Sequence, residues 1–310
     1  MQIALIPRVL AIAWCFAAGC LPAMADDAPA LCAPGTQAEP RVTQTTLAGV
    51  PAILRIPAHV TKPPVILWHG FGPPASEGAM MDALPLDDVA AVKVYLGLPL
   101  FGARAPSGGM KTLARLQSED VGLQVFKPVV AGAANELPAV VASLEQHGCM
   151  TRGGTVRLVG FSAGGAAALY ALSQGKVNID AAVFINTSTG LSTSVQAYEQ
   201  ATRQTYTWSA ASRELAQQTD ASQHVADIAR RRPALLFLQG ANDAVIDSHT
   251  AADVYGKLQP FYRGQESRLQ LRQLPAMSHQ WATDAPSLTS VRQAVGEWLA
   301  ENAPTPLRHQ

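Results

Sequence analysis

From Val65 to the end of the chain, short apolar segments alternate with segments of helical pattern. Continuous apolar runs, such as those at 65–68 and 181–185, are typical of strands that are buried on both faces of a parallel sheet. The chain has 310 residues, 48% of them hydrophobic, which is enough to bury one large core. The sequence therefore predicts an α/β fold with a mostly parallel central sheet and helices on both faces.

Two segments depart from this alternation. Residues 42–57 form two alternating stretches around Gly49, which predicts a hairpin at one edge of the sheet. Residues 187–232 are polar and helical in pattern, which predicts a small insert that covers the carboxyl ends of the strands as a lid. We expect one domain over residues 41–303, with a polar tail at 26–40 before it and a short tail at 304–310 after it.

Residues 118–147 also have a helical pattern, but it contains two prolines, Pro128 and Pro138. Proline lacks the backbone N–H of a helical residue, and its ring collides with the preceding turn. We therefore expect the helix to break or kink at these positions.

The first 25 residues have the pattern of a secretory signal. One basic residue, Arg8, precedes an apolar stretch at 9–21 and a small-residue site that ends at Ala25, where cleavage is expected. The apolar stretch is shorter than the roughly 20 residues of a membrane span, and no second segment is expected to reach that length. We predict an exported protein, periplasmic or secreted, without a stable membrane anchor. A lipoprotein attached through Cys20 stays open as a less favoured alternative.

Export changes the interpretation of the cysteines. Cys15 and Cys20 leave with the signal, so Cys32 and Cys149 remain in the mature chain. In an oxidising compartment, two remaining cysteines favour a disulfide over two free thiols. Neither cysteine has a second Cys or His at the spacing of a zinc site.

The charge balance limits the partners of the protein. The chain carries 23 basic and 23 acidic side chains and has no formal net charge, which gives no electrostatic footprint for nucleic acid. No metal-binding or phosphate-binding motif is present in the sequence, so no cofactor and no metal are expected. The expected partner is a small neutral molecule, and the oligomeric state stays open.

The sequence GFSAG at 160–164 joins the apolar segment VRLVG to the alanine-rich run that ends at Gly175. A serine at the apex of a strand–turn–helix needs small neighbours, because the turn is strained and the helix packs closely on the strand. The pattern predicts Ser162 as a nucleophile. The alternative is a hinge of small residues without chemistry.

A serine hydroxyl needs a base and an orienting carboxylate to react. Asp243 follows the apolar segment at 234–240, and His279 follows the last predicted strand. Because the carboxyl ends of parallel strands share one edge, Ser162, Asp243 and His279 are expected to meet there. Asp247 remains an alternative to Asp243. Of the other downstream histidines, His249 is expected to be solvated in the first turn of a helix, His224 lies in the polar insert and His309 lies in the tail.

The motifs GFSAG, GANDAVI at 240–246 and MSH at 277–279, with HGFG at 69–72, resemble those of α/β-hydrolase serine hydrolases. The nearest likeness is to dienelactone-hydrolase and prolyl-oligopeptidase-like esterases, over about residues 50–302. The resemblance implies the α/β-hydrolase fold and a Ser–Asp–His triad. It does not specify the substrate.

Acyl transfer also needs donors for the developing oxyanion. The residue after the nucleophile supplies one, the backbone N–H of Ala163. The resemblance implies that the loop after the first long parallel strand supplies the other, the backbone N–H of Phe71. The side chain of His69 is expected to orient that loop without taking the proton of Ser162.

Several residues are candidates for the substrate pocket because they lie near the same edge of the predicted sheet. Arg104 could bind a carboxylate, although an arginine that fixes a loop is more common. Trp208 could close over an acyl group together with Tyr206, or pack within the insert. The predicted substrate-binding residues are His69, Gly70, Phe101, Arg104, Trp208 and Trp281.

These observations predict an exported serine hydrolase that cleaves carboxylic esters through an acyl-enzyme. A peptidase for short peptides or aminoacyl groups is the alternative, because prolyl-oligopeptidase-like chains share the motifs. A non-catalytic binding protein on the same fold is disfavoured by the presence of all three triad residue types.

Overall fold

The computed structural model describes residues 31–33 and 39–302, so the predicted signal sequence and the C-terminal tail lie outside the described residues. Within the described residues, eight strands form one sheet in the order β1-β2-β4-β3-β5-β6-β7-β8. The strands are β1 (Arg41–Leu47), β2 (Val50–Ile56), β3 (Val65–Trp68), β4 (Lys93–Leu96), β5 (Val156–Phe161), β6 (Ile179–Ile185), β7 (Ala234–Asn242) and β8 (Leu269–Ser278).

The six strands from β3 to β8 are parallel to one another. The strands β3, β4, β5 and β6 are buried along their whole length, which explains why they are mostly apolar. The hairpin predicted around Gly49 is present: β1 and β2 pair in antiparallel fashion, and β1 forms one edge of the sheet.

Helices cover both faces of the sheet and bury two apolar clusters against it. The helices are α1 (Glu77–Ala83), α2 (Gly109–Asp120), α3 (Ala133–Gln146), α4 (Ala163–Gln174), α5 (Leu191–Thr202), α6 (Ala210–Thr219), α7 (Val225–Ile228), α8 (Ser248–Leu258) and α9 (Ala285–Glu301), with a π-helix at Val121–Gly132. One cluster contains Met80 of α1 and Val295 of α9, and the other contains Leu137 of α3 and Ala167 of α4. This layering is the one predicted from the alternating pattern.

The two prolines do not break the helical segment. Helix α2, the π-helix and α3 run on continuously over Gly109–Gln146, with Pro128 in the π-helix and Pro138 in α3. The wider turn of a π-helix moves the carbonyl that a proline ring would otherwise meet, which lets the chain continue past Pro128.

This composite helix is also long and apolar enough to cross a membrane by length and composition, whereas the sequence predicted no second segment of that length. More than half of its most apolar window is buried inside the fold, as in the core helix of a compact domain.

The segment between β6 and β7 contains α5, α6 and α7 and corresponds to the helical insert predicted at 187–232. Helix α6 begins with a capping box, in which the side chains of Ser209 and Ser212 each accept from the other's backbone N–H. The insert follows the carboxyl end of β6, and this places α5 beside the end of β5.

A disulfide joins Cys32 to Cys149, whose Cα atoms lie 5.0 Å apart. Both residues are buried. Cys149 lies between α3 and β5, ahead of the amino end of that strand. The bridge therefore ties the N-terminal segment to the side of the sheet where β5 begins, whereas Ser162 lies at the carboxyl end of β5.

Candidate active site

Ser162 lies at the turn between β5 and α4, with φ 53° and ψ −114°. A positive φ is strained for a residue with a side chain, and here the neighbours are packed tightly enough to hold it. A Cβ added at Gly160 would lie 2.4 Å from the carbonyl oxygen of Gly164, and one added at Gly164 would lie 2.4 Å from that of His69. The glycines of the motif are therefore required by backbone contacts on both sides of the serine.

The structure brings together the three side chains predicted from separate strand ends. Nε2 of His279 lies 3.2 Å from Oγ of Ser162, and Nδ1 of His279 lies 2.9 Å from Oδ2 of Asp243. An ionised carboxylate only accepts, so Nδ1 carries the proton and Nε2 is left to accept the proton of the serine. The side chains of Ser162, His279 and Asp243 are almost completely buried.

The carboxylate of Asp243 is held by four donors. Oδ1 accepts from the backbone N–H groups of Val245 and Ile246, both at 2.9 Å. Oδ2 accepts from Nε2 of Gln239 at 3.4 Å as well as from His279. These contacts fix the orientation of the carboxylate, and the sequence analysis did not identify Gln239.

The alternative residues have other partners. Asp247 caps α8 and accepts from the backbone N–H of His249 at 2.9 Å. His224 lies in the insert, with Nε2 3.0 Å from the carbonyl oxygen of Gln217. His309 lies outside the described residues. Among the candidates, Asp243 and His279 are the pair that forms a hydrogen-bonded series with Ser162.

The two residues predicted to supply backbone N–H groups to an oxyanion, Ala163 and Phe71, lie close to Ser162. Ala163 is the first residue of α4, so its N–H is one of those that have no acceptor within the helix. The N–H of Phe71 makes no hydrogen bond within the described part of the chain. Both residues line the same cavity as Ser162. This is the arrangement that an oxyanion needs.

The loop that carries Phe71 is held by the buried side chain of His69. Nε2 accepts from the backbone N–H of Leu98 at 3.2 Å, so Nδ1 carries the proton and donates to the carbonyl oxygen of Gly70 at 2.8 Å. Burial lowers the pKa of His69, which keeps the ring neutral. His69 therefore fixes the loop, as predicted, and lies behind the cavity.

The cavity beside Ser162 has a volume of about 360 Å³. Its described lining has no charged side chain and comes from α2, the π-helix, α5 and the loops around the triad. The lining consists of Phe71, Gly72, Gln117, Val121, Phe126, Ser162, Ala163, Ser188, Leu191, Ser194, Val195, Ala197, Tyr198, Ala201, Thr202, Val245, Ile246, His279 and Gln280.

The six residues predicted to bind substrate do not lie in this lining. Phe101 stacks on Phe71, with ring centroids 4.8 Å apart, and so supports the loop from behind. A Cβ added at Gly70 would lie 2.6 Å from the ring of Phe161, so this glycine permits close packing. These residues and His69 hold the loop in place.

The other three candidates are engaged elsewhere. The guanidinium of Arg104 pairs with both carboxylate oxygens of Glu136, at 2.7 and 2.8 Å. Arg104 therefore fixes a loop, which was the alternative to binding a substrate carboxylate. Trp208 packs edge-on against Tyr206 within the insert. Trp281 is completely buried.

The position of Trp281 corrects the prediction that it binds substrate. Its ring packs edge-on against Phe161, with centroids 5.9 Å apart, in the apolar cluster beneath α9. The large ring gains more from burial in the core than from a place at the rim.

Asn186 is a further residue that sequence reasoning missed. It directly follows β6 and is completely buried. Its Oδ1 accepts from the N–H of Gly240 at 2.8 Å, and its Nδ2 donates to the carbonyl of Ser278 at 2.9 Å. One side chain thus joins the loops that carry Asp243 and His279. The available signal was a single amide at the end of an apolar strand.

A mostly parallel sheet, helices on both faces and a buried Ser–His–Asp arrangement at the carboxyl ends of its strands define an α/β-hydrolase. The family model for the prolyl oligopeptidase family matches residues 132–304, more than half of the chain. The chain belongs to this family and is a serine hydrolase.

Solved structures of similar fold include esterases and peptidases. A protein from Thermus thermophilus has a TM-score of 0.63 and 18% identity, over 84% of this chain and 98% of that one. An esterase from Pyrococcus furiosus has a TM-score of 0.56 and 15% identity, over 85% and 91%. A puromycin-hydrolysing peptidase from Mycobacterium tuberculosis has a TM-score of 0.59 and 17% identity, over 87% and 40%. At sequence identities this low, structural similarity shows only that the folds are alike. No curated protein matches the chain in sequence.

Proposed function

We propose that this protein hydrolyses carboxylic esters through an acyl-enzyme formed on Ser162. The observation that carries the proposal is the hydrogen-bonded series of Ser162, His279 and Asp243 at a cavity whose described lining has no charged side chain. An uncharged pocket suits a neutral ester, because it leaves no buried charge without a partner.

The geometry supports a two-step reaction. In the first step, Oγ of Ser162 attacks the ester carbonyl while Nε2 of His279 takes the serine proton. Asp243 holds the ring in the tautomer that allows this transfer. The N–H groups of Ala163 and Phe71 donate to the tetrahedral oxyanion, and each such donor contributes about 3 kcal/mol.

His279 then gives its proton to the leaving alcohol, and the carbonyl carbon stays bonded to Oγ of Ser162. In the second step, His279 takes a proton from water, and the resulting hydroxide attacks the acyl carbon. Collapse of the second tetrahedral intermediate releases the carboxylic acid, and the proton returns to Ser162.

A peptidase for short peptides or aminoacyl groups is the second candidate, and membership of the prolyl oligopeptidase family favours it. A free amino terminus is positively charged at neutral pH and needs an acidic partner when it is buried. The described lining of the cavity offers no such partner apart from the triad itself. This supports ester over aminoacyl substrates.

Hydrolysis of p-nitrophenyl esters and of aminoacyl p-nitroanilides separates the two candidates. We expect ester turnover by the wild type, none above background by Ser162→Ala, and little anilide cleavage. Anilide cleavage without ester turnover would reject ester hydrolysis in favour of peptidase activity.

Labelling with a fluorophosphonate tests the catalytic assignment independently of the substrate. We expect one adduct, located by mass spectrometry on Ser162, and none on Ser162→Ala. A folded wild-type protein that takes no label would instead support a non-catalytic role.

We further propose that the protein is exported after removal of residues 1–25. The Cys32–Cys149 bridge supports this, because disulfides persist mainly in oxidising compartments. The mass of the protein purified from its natural host should correspond to a chain that begins at Asp26. A full-length chain recovered from the cytosol would contradict export.

A further inference from the structure

One face of α5 lines the cavity from the first turn of the helix to the last. Its lining residues are Leu191, Ser194, Val195, Ala197, Tyr198, Ala201 and Thr202, and all of them except Ala197 recur at the spacing of a single helical stripe. The stripe from Leu191 to Ala201 is about 15 Å long at about 1.5 Å per residue. The cavity therefore extends along a helix as a channel.

The channel begins beside the nucleophile. Phe161 of β5 pairs with Ile185 of β6, so the residues that follow these strands, Ser162 and Asn186, emerge next to each other. Helix α5 starts five residues after Asn186, and its first residue, Leu191, lines the same cavity as Ser162. Its far end is open, because Ala201 and Thr202 are exposed.

The composite helix supplies a second wall. Gln117 of α2 and Val121 and Phe126 of the π-helix also line the cavity. A π-helical turn is wider than an α-helical turn and often occurs at functional sites. Together the two walls present mainly aliphatic and aromatic surface.

The polar groups on the α5 stripe are paired with protein atoms. The hydroxyl of Ser194 lies 2.7 Å from that of Ser188. Thr202 donates its hydroxyl to the carbonyl of Tyr198 at 2.8 Å, and Tyr198 donates its own to Gln204 at 3.2 Å. A ligand along this stripe therefore meets few groups that need a polar partner.

Tyr206 joins the two walls. Its hydroxyl donates to Oδ1 of Asp120, at the start of the π-helix, at 2.6 Å. Its backbone N–H donates to Oε1 of Glu199, in the last turn of α5, at 2.7 Å. Burial first and the hydrogen bond to Asp120 second raise the pKa of Tyr206 to about 12, so the phenol remains a donor. The spacing of the walls is thus set before substrate arrives.

We propose that the channel along α5 is an acyl-chain site that selects esters of linear aliphatic acids with about 8–12 carbon atoms. A chain that lies along α5 from Leu191 to Ala201 spans about 15 Å, or roughly 12 carbons at about 1.25 Å each for carbon–carbon bonds of about 1.5 Å. The inference rests on the proposed ester hydrolysis at Ser162.

The test is the acyl-chain profile of kcat/KM for p-nitrophenyl esters from acetyl to hexadecanoyl. Each methylene that enters the channel should raise kcat/KM about two- to fourfold, until the profile levels off near the decanoyl and dodecanoyl esters. A wild-type profile that is highest for acetyl would overturn the acyl-chain site while leaving ester hydrolysis in place.

Two variants on α5 make the test specific. Ala201→Trp places a large ring in the far part of the channel, at an exposed position where the fold tolerates it. It should lower the ratio of kcat/KM for the dodecanoyl ester to kcat/KM for the acetyl ester at least tenfold. Gln200→Trp, exposed and outside the lining, is the matched control and should keep the wild-type profile.

An Ala201→Trp profile that equals that of the wild type would also overturn the proposal. Failure of the underlying function has a different signature: the wild type would hydrolyse no ester of any chain length faster than Ser162→Ala.

Discussion

Asn186 donates a hydrogen bond to the carbonyl oxygen of Ser278, 2.9 Å away and immediately before His279. The same side chain accepts from the N–H of Gly240, at the start of the turn that leads to Asp243. One buried amide therefore holds the loops that carry Asp243 and His279 of the proposed triad, although these residues follow different strands.

We predict that Asn186→Ala lowers kcat about 10–100-fold with little change in KM, because a small displacement of His279 spoils proton transfer more than binding. The loss of both hydrogen bonds should also lower the free energy of unfolding by about 2–4 kcal/mol. Steady-state kinetics and denaturant unfolding measure the two effects.

Asn186→Gly separates the hydrogen bonds from the backbone conformation. Asn186 has φ 43°, which glycine adopts without strain and alanine does not. Both variants should lose kcat equally, while the alanine variant should be less stable. If Asn186→Gly had the same kcat and the same rate of fluorophosphonate labelling as the wild type, the amide of Asn186 would not position the triad.

Gly164→Ala should lower the free energy of unfolding by about 3 kcal/mol, because the new methyl group would lie within 2.4–2.6 Å of the carbonyl oxygens of His69 and Trp68. These are backbone atoms that cannot rotate away. Gly296→Ala, within α9, is the control: no atom lies within 4 Å of the added Cβ. It should stabilise the protein by about 0.5–1 kcal/mol through helix propensity. Equal unfolding midpoints for the two variants would contradict the packing argument.

Lys93 is completely buried in β4, where its ammonium donates to the carbonyl of Val89 at 3.2 Å. Burial lowers the pKa of Lys93 from 10.5 to about 8. Below pH 8 both the folded and the unfolded chain hold the proton, and the fold bears the full cost of burying the charge. Between pH 8 and 10.5 the unfolded chain binds more protons, so the contribution of Lys93 to stability rises with pH.

Lys93→Met should therefore raise the free energy of unfolding at pH 7 by about 1–3 kcal/mol. It should also remove the increase in stability between pH 8 and 10.5. Denaturant unfolding at several pH values measures both effects. Lys257→Met, at an exposed position, should change stability by no more than about 0.5 kcal/mol. A less stable Lys93→Met variant at pH 7 would show that the ammonium is a net stabilising group.

The double substitution of Cys32 and Cys149 by serine should lower the free energy of unfolding by about 3–5 kcal/mol, because the bridge closes a loop between residues 117 apart in sequence. The kcat should stay unchanged, since the bridge lies at the opposite edge of the sheet from Ser162. Unfolding with and without a reductant measures the effect in the wild type. A reductant should not change the stability of the double variant. Equal free energies of unfolding for the oxidised wild type and the double variant would contradict the prediction.

Local patterns in the sequence predicted the sheet and the candidate triad. Apolar runs such as 65–68 and 181–185 are strands because burial on both faces requires them to be apolar throughout. Ser162, Asp243 and His279 follow such runs, and the carboxyl ends of parallel strands meet at one edge whatever the loops between them do.

The cavity was decided by tertiary structure. Its walls are a stripe of α5 and part of a π-helix, segments far apart in sequence whose facing sides depend on how the insert packs. For the same reason Trp281 and Arg104, which follow strands in the sequence, lie in the core and in an ion pair. The amide of Asn186 meets partners 54 and 92 residues away. The sequence alone determined the elements and the reactive residue types, because these depend on local pattern and chain order. Only the tertiary structure decided what surrounds Ser162, because packing between distant segments sets the shape and polarity of that space.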